Sequence, residues 1–165
     1  MRRTVMAVLS ACALFLMIAS SAFAASPHFI YANASLNHDG SLAVAFKEAG
    51  LGDNLLIHEV ASATGTAVYA CFTKSGNHPQ ASNKVGPTTL SASGDFPSGK
   101  NGQITGSLTI QPPAPTLSCP SGQVLKLASV SYTNVVVTDT TNGVSTSLPG
   151  TFEAVFYDLG PGNNA

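Results

Sequence analysis

Polar and apolar residues alternate along most of the chain beyond its first two dozen positions. The clearest run is Gln103–Gln111, where Ile104, Gly106, Leu108 and Ile110 alternate with Gln103, Thr105, Ser107, Thr109 and Gln111. Leu42, Val44 and Phe46 alternate in the same way with Ser41, Ala43, Ala45 and Lys47, and Phe152, Ala154 and Phe156 make a third set. Side chains of a strand point to opposite faces in turn, so each run predicts a half-buried strand. No stretch repeats apolar residues at helical spacing for long enough to predict a helix. Further strands are expected over Phe29–Leu36, Asn54–Ala61, Thr66–Thr73, Thr88–Phe96, Val124–Ser129 and Val130–Asp139. The apolar phase slips near Ala128–Ser131, which predicts a bulge or a bend between sheets.

The punctuation between these runs agrees with them. Asn37-His38-Asp39-Gly40 separates two strand patterns, Lys100-Asn101-Gly102 precedes the Gln103 run, and Asn142-Gly143 follows Asp139. Asn-Gly and Asp-Gly pairs tolerate the positive φ that tight turns require. About eight short strands at regular spacing predict an all-β fold, an immunoglobulin-like or jelly-roll-type antiparallel β-sandwich. The chain has no Trp, so the core Trp of an antibody domain is missing. Pro112-Pro113-Ala114-Pro115 predicts a stiff extended connection that crosses between the sheets. The sandwich is expected over residues 25–157, with 158–165 as a disordered tail.

The start of the chain has a different character. Arg2 and Arg3 precede an apolar stretch from Val5 to Ile18, and Ala22-Phe23-Ala24 is a small-x-small cleavage pattern. Residues 1–24 therefore read as a signal peptide preceding the sandwich. A retained anchor competes with this reading, but a bilayer span needs roughly 20 apolar residues. Leu9-Ser10-Ala11-Cys12 resembles a lipidation signal, placed unusually early in the apolar run. No later segment is apolar enough to span a membrane, so no transmembrane segment is expected in the mature chain. Without the leader, five Lys face eight Asp and Glu, a net charge of −3. No basic patch is left to neutralise phosphates, which excludes nucleic acid as an expected partner.

Two cysteines remain, Cys71 and Cys119. In an oxidising compartment such a pair is expected to form a disulfide, and the absence of a CxxC or a nearby His pair argues against a thiolate metal site. The closed loop of 48 residues stabilises by roughly 4 kcal/mol on the chain-entropy model.

Candidate chemistry is sparse. No G-x-S-x-G is present, and His28, His38, His58 and His78 form no local ligand pair. His58 and Glu59 are adjacent, but on a strand they face opposite ways. Asp39, Asp53, Asp95, Asp139 and Asp158 fall in or near predicted turns, where Asp bonds its own backbone. Gly52-Asp53-Asn54 and Asp139 could lend oxygens to a calcium loop, which needs six or more, but no D-x-D-x-D spacing occurs. Of the tyrosines that could stack on sugars, Tyr69 and Tyr132 sit in strand-like runs that favour packing, leaving Tyr31 and Tyr157. Asn33-Ala34-Ser35 matches a glycan acceptor within a predicted strand. No catalytic, cofactor-binding or metal residues are assigned on this basis.

Several phrases together carry a resemblance. They are Phe46-Lys47-Glu48-Ala49-Gly50-Leu51-Gly52, the run CFTKSGNHPQASNK from Cys71 to Lys84, and Ser98-Gly99-Lys100-Asn101-Gly102-Gln103-Ile104. Cys119-Pro120-Ser121-Gly122-Gln123, Ser131-Tyr132-Thr133-Asn134 and Asp139–Val144 complete the set. The combination resembles a group of small secreted bacterial proteins with no established function. It implies a bacterial, exported origin and brings no site residues. The polar stretch Lys74–Lys84 follows Cys71 and reads either as a plain connection or as a tethered recognition loop, with Lys74, Asn77, His78, Gln80, Asn83 and Lys84 as its candidates. The expected role is a secreted, non-enzymatic module for binding, adhesion or envelope structure, with a macromolecular or cell-surface partner. A secreted hydrolase with a dispersed active site and a self-assembling surface protein are the alternatives.

Overall fold

The computed structural model describes residues 26–74 and 79–160. The leader reading for residues 1–24 lies outside them. Eight strands follow in order: β1 (His28–Leu36), β2 (Leu42–Ala49), β3 (Leu56–Thr73), β4 (Pro79–Pro97), β5 (Gln103–Ile110), β6 (Gln123–Asp139), β7 (Val144–Leu148) and β8 (Phe152–Val155). They form two antiparallel sheets packed as a β-sandwich. The smaller has the order β1-β2-β5, and the larger β4-β3-β6-β7, with β8 also paired to β6. An immunoglobulin constant-type sandwich sets four strands against three, with the fourth strand beside the fifth. Here the fourth strand has moved across to pair with the third. The last strand position is shared by β7 and β8, which line up one after the other along β6.

The predicted turns are present. In the β1–β2 hairpin, Gly40 donates its N–H to Asn37 O and takes φ +84°. Asp39 Oδ1 accepts from the backbone N–H and the hydroxyl of Ser41. This bonding holds the Asp39 carboxyl below its ordinary range. The Lys100-Asn101-Gly102 turn is a corner, because β4 and β5 belong to different sheets. The proline-rich connection also crosses between sheets, as expected.

Apolar alternation builds the core. Leu42, Val44 and Phe46 of β2 and Ile104, Leu108 and Ile110 of β5 face Ile57, Ala61, Tyr132, Val135 and Val137 of the larger sheet. Phe46 meets Phe29 and Phe96 edge-to-face, with centroids 6.3 and 5.2 Å away. Gly106 makes room for this cluster: a Cβ there would lie 2.5 Å from the Phe96 ring. Tyr132 is fully buried, and its hydroxyl donates to Gly40 O at 2.8 Å, tying β6 to the first hairpin. Burial pushes its ionisation upward.

The two sheets differ in length. Strands β3, β4 and β6 run 18, 19 and 17 residues, against 9, 8 and 8 for β1, β2 and β5. The larger sheet therefore extends well past the smaller one, and other segments cover the extension. On the inner side lies the proline-rich connection: Tyr69 donates its hydroxyl to Pro113 O, Asn83 Nδ2 donates to Thr116 Oγ1, and Cys71 is bonded to Cys119. On the outer side, Val68, Ala70, Phe72 and Ala128 form a second apolar cluster under Leu159. The phase slip is a bulge at Ala128, whose carbonyl accepts from the N–H groups of Phe156 and Tyr157. The chain is thus packed as far as Leu159, beyond the boundary expected at 157; residues 161–165 of the tail lie outside the described residues.

Candidate functional site

The sequence-predicted recognition loop takes a different form. Pro79–Lys84 belong to β4, paired with Phe72–Val68 of β3, so the connection is much shorter than Lys74–Lys84. Lys74 is exposed at the end of β3, while Asn77 and His78 lie outside the described residues. Gln80 sits in β4. Asn83 is held against the proline-rich strap, and Lys84 is exposed. The four described residues of the set, Lys74, Gln80, Asn83 and Lys84, are therefore not gathered on one loop. Their polarity suits the edge strand of a sheet, which must be guarded against further pairing.

Two arrangements emerge instead. The first is the outer face of the larger sheet where the smaller sheet backs it. Cross-strand register aligns Ser91, Ser62, Val136 and Ser147 in one row and Ser93, Val60, Thr138 and Ser145 in the next. Thr64 and Thr89 pair one step further along. Beyond the second row, His58 and Asp95 form an exposed pair, with Nδ1 2.6 Å from Oδ1. Asp95 therefore lies in a strand rather than in a turn. The face is hydroxyl-rich and carries little charge.

The second arrangement is buried. Glu48 continues the inward series Leu42, Val44, Phe46, and Glu59 lies between Ile57 and Ala61 on the inward face of β3. Asp139 ends the inward series of β6 and stands directly opposite Glu59 in the register. All three are 0 % exposed, and one oxygen from each lies within 4.8 Å of the other two. Glu48 comes from one sheet and Glu59 and Asp139 from the other, so the cluster spans the sandwich.

Their partners differ sharply. Asp139 caps the β6–β7 turn: Oδ1 accepts from the N–H groups of Thr141 and Asn142, and Oδ2 accepts from Asn142 Nδ2. The four oxygens of Glu48 and Glu59 meet no hydrogen-bond donor among the described residues. Isolated buried carboxylates are costly as anions, so they neutralise or find a cation. Burial first, and then the neighbouring Glu59 and Asp139, push the Glu48 carboxyl up to about 9. Burial also raises Glu59, opposed by its contact with Glu48. Without a cation, burial favours the neutral, protonated form of both glutamates.

The sequence offered a signal for this cluster: two acids in phase with core positions. Asp139 was legible as a turn residue, and its Asx bonding agrees, but its burial was not. Asp53 lies in the β2–β3 connection and is exposed, apart from this cluster. His58 and Glu59 do face opposite ways, His58 exposed and Glu59 buried. Tyr69 and Tyr132 are packed, as expected, and Tyr31 and Tyr157 are partly exposed.

These features define a disulfide-bonded β-sandwich with a hydroxyl-rich outer face and a buried tricarboxylate cluster. A scan against family models, a search of curated proteins and a search of solved structures each give no match to this chain.

Proposed function

We propose that the chain is an extracytoplasmic, non-enzymatic binding module of a bacterial envelope or its surroundings, and that the outer face of the larger sheet is its recognition surface. The observation that carries this reading is the pair of registered rows through Ser62 and Val60, which array hydroxyls across four paired strands. A lattice of neutral donors and acceptors suits an uncharged, hydroxyl-rich polymer such as a polysaccharide. Without aromatic platforms in these rows, affinity would come from many weak hydrogen bonds rather than stacking. The disulfide supports an oxidising compartment, and no helix among the described residues is long and apolar enough to cross a membrane.

Co-sedimentation of the mature protein with peptidoglycan, cellulose and chitin tests the reading. Saturable binding to at least one polymer is expected, insensitive to added salt and reduced about tenfold by Ser91→Lys, since one lost hydrogen-bonded contact site costs about that factor. Absence of binding to all three, or binding unchanged by the substitution, contradicts it. Turnover of ester or glycoside substrates would favour the hydrolase alternative.

Self-assembly is the second reading, because β4 is the terminal strand of its sheet. Pro79, Pro87, Pro97, Lys84 and Asp95 interrupt that strand, as edges guarded against pairing do. Sedimentation that depends on concentration would support it.

A further inference from the structure

The glutamates at the core of the sandwich are not explained by a surface-binding role. Glu48 and Glu59 are fully buried, and all four of their oxygens lack a donor. They converge with Asp139, no two of the nearest oxygens being farther apart than 4.8 Å. Among the described residues, Asp139 Oδ2 accepts one hydrogen bond, from Asn142 Nδ2, and keeps a lone pair for another partner. No Lys, Arg or His is ion-paired with any of the three among the described residues.

We infer that Glu48, Glu59 and Asp139 form a binding site for a hard divalent cation, with calcium the best fit, that ties the smaller sheet to the larger one. The donor set is all oxygen, without nitrogen or sulfur, which favours calcium, magnesium or manganese over zinc and copper. Calcium binds oxygen at about 2.4 Å, so opposite ligands lie about 4.8 Å apart, and its flexible geometry accepts bidentate carboxylates. One oxygen from each residue supplies three of the six to eight ligands that calcium takes, and bidentate binding by the two unpartnered glutamates would raise the number to five. The turn bonds of Asp139 fix its carboxylate in place, which pre-organises one corner of the site.

The test uses the whole mature, oxidised protein. It is stripped with EDTA near neutral pH and dialysed against about 1 mM calcium, the upper range for extracellular sites; metal in excess of the dialysis buffer and the melting temperature in that buffer are then measured. About one calcium per chain and a rise of several degrees in melting temperature are expected. Glu59→Gln should lose most of the bound calcium, while Asp53→Asn, in an exposed connection, should keep it. Should Glu59→Gln fail to fold, the wild-type measurements decide alone. Negligible calcium on the wild type together with unchanged melting overturns the inference. Calcium lost in Asp53→Asn but kept in Glu59→Gln overturns it as well, because the ion would then sit in the exposed loop.

Discussion

The two halves of the larger sheet solve the same problem by different means. The half backed by the smaller sheet is buried by apolar strands from both layers, with Phe46, Ile57, Ile110 and Val137 at its centre. It also carries three acids in that interior. The other half has no second sheet over it. A disulfide and a proline-rich strap cover its inner face, and Tyr157 and Leu159 cover its outer face. The first half has apolar burial to spare and tolerates a costly polar cluster. The second has little, and is held by a covalent bond and a few specific contacts. Small apolar cores commonly rely on such cross-links.

Removing the bridge should break this comparison most strongly. Cys71→Ser with Cys119→Ser should cost roughly 4 kcal/mol in urea unfolding. Hydrogen exchange should show protection falling most over Val68–Thr73 and least over Ile57–Ala63. Equal loss in both halves would mean that the strap is not what holds the extension.

The acid cluster should set the pH response of the other half. Glu48 lies above its ordinary value of 4.5, near 9, so the metal-free folded state holds a proton that the unfolded chain releases. That contribution is fully present below about pH 4.5 and is lost as pH rises towards 9, at up to about 1.4 kcal/mol per pH unit for one proton. Glu48→Gln should flatten the decline measured by urea titration in EDTA. Smaller effects come from single contacts. Tyr132→Phe should cost about 1–2 kcal/mol by leaving the buried Gly40 carbonyl without its donor. Lys126 lies 5.1 and 4.7 Å from the ring centres of Phe72 and Tyr157, so Lys126→Ala should cost about 0.5–1 kcal/mol, confined to the strapped half.

Much of the sandwich was legible because alternation reports directly on which side of a strand is buried. The turns at Gly40, Gly102 and Gly143 and the Cys71–Cys119 pairing followed from residue chemistry. Strand lengths were harder. Gly65 interrupts the pattern and suggests a break, yet β3 continues through it, with a register shift against β4 between Gly65 and Ala67. A Cβ at Gly65 would lie 2.4 Å from Leu90 Cδ1, so glycine is there for close packing rather than for a turn. The Lys74–Lys84 stretch looks like a loop because an edge strand facing solvent has the same composition. Glu48 and Glu59 escaped notice for a related reason: a charged residue normally marks the solvent face. Phase was the one local signal of their burial, and only the fold could show that they meet. The hydroxyl rows depend on register across four strands, which no local pattern contains.

The most direct test is the stability of the oxidised protein from pH 5 to pH 8, by urea unfolding, in EDTA and in saturating calcium. If the buried carboxylates accept either protons or a cation, the EDTA curve falls with rising pH, while calcium lifts the curve increasingly towards pH 8. Superimposed curves would contradict cation binding, and a flat EDTA curve would contradict the buried, proton-holding cluster itself.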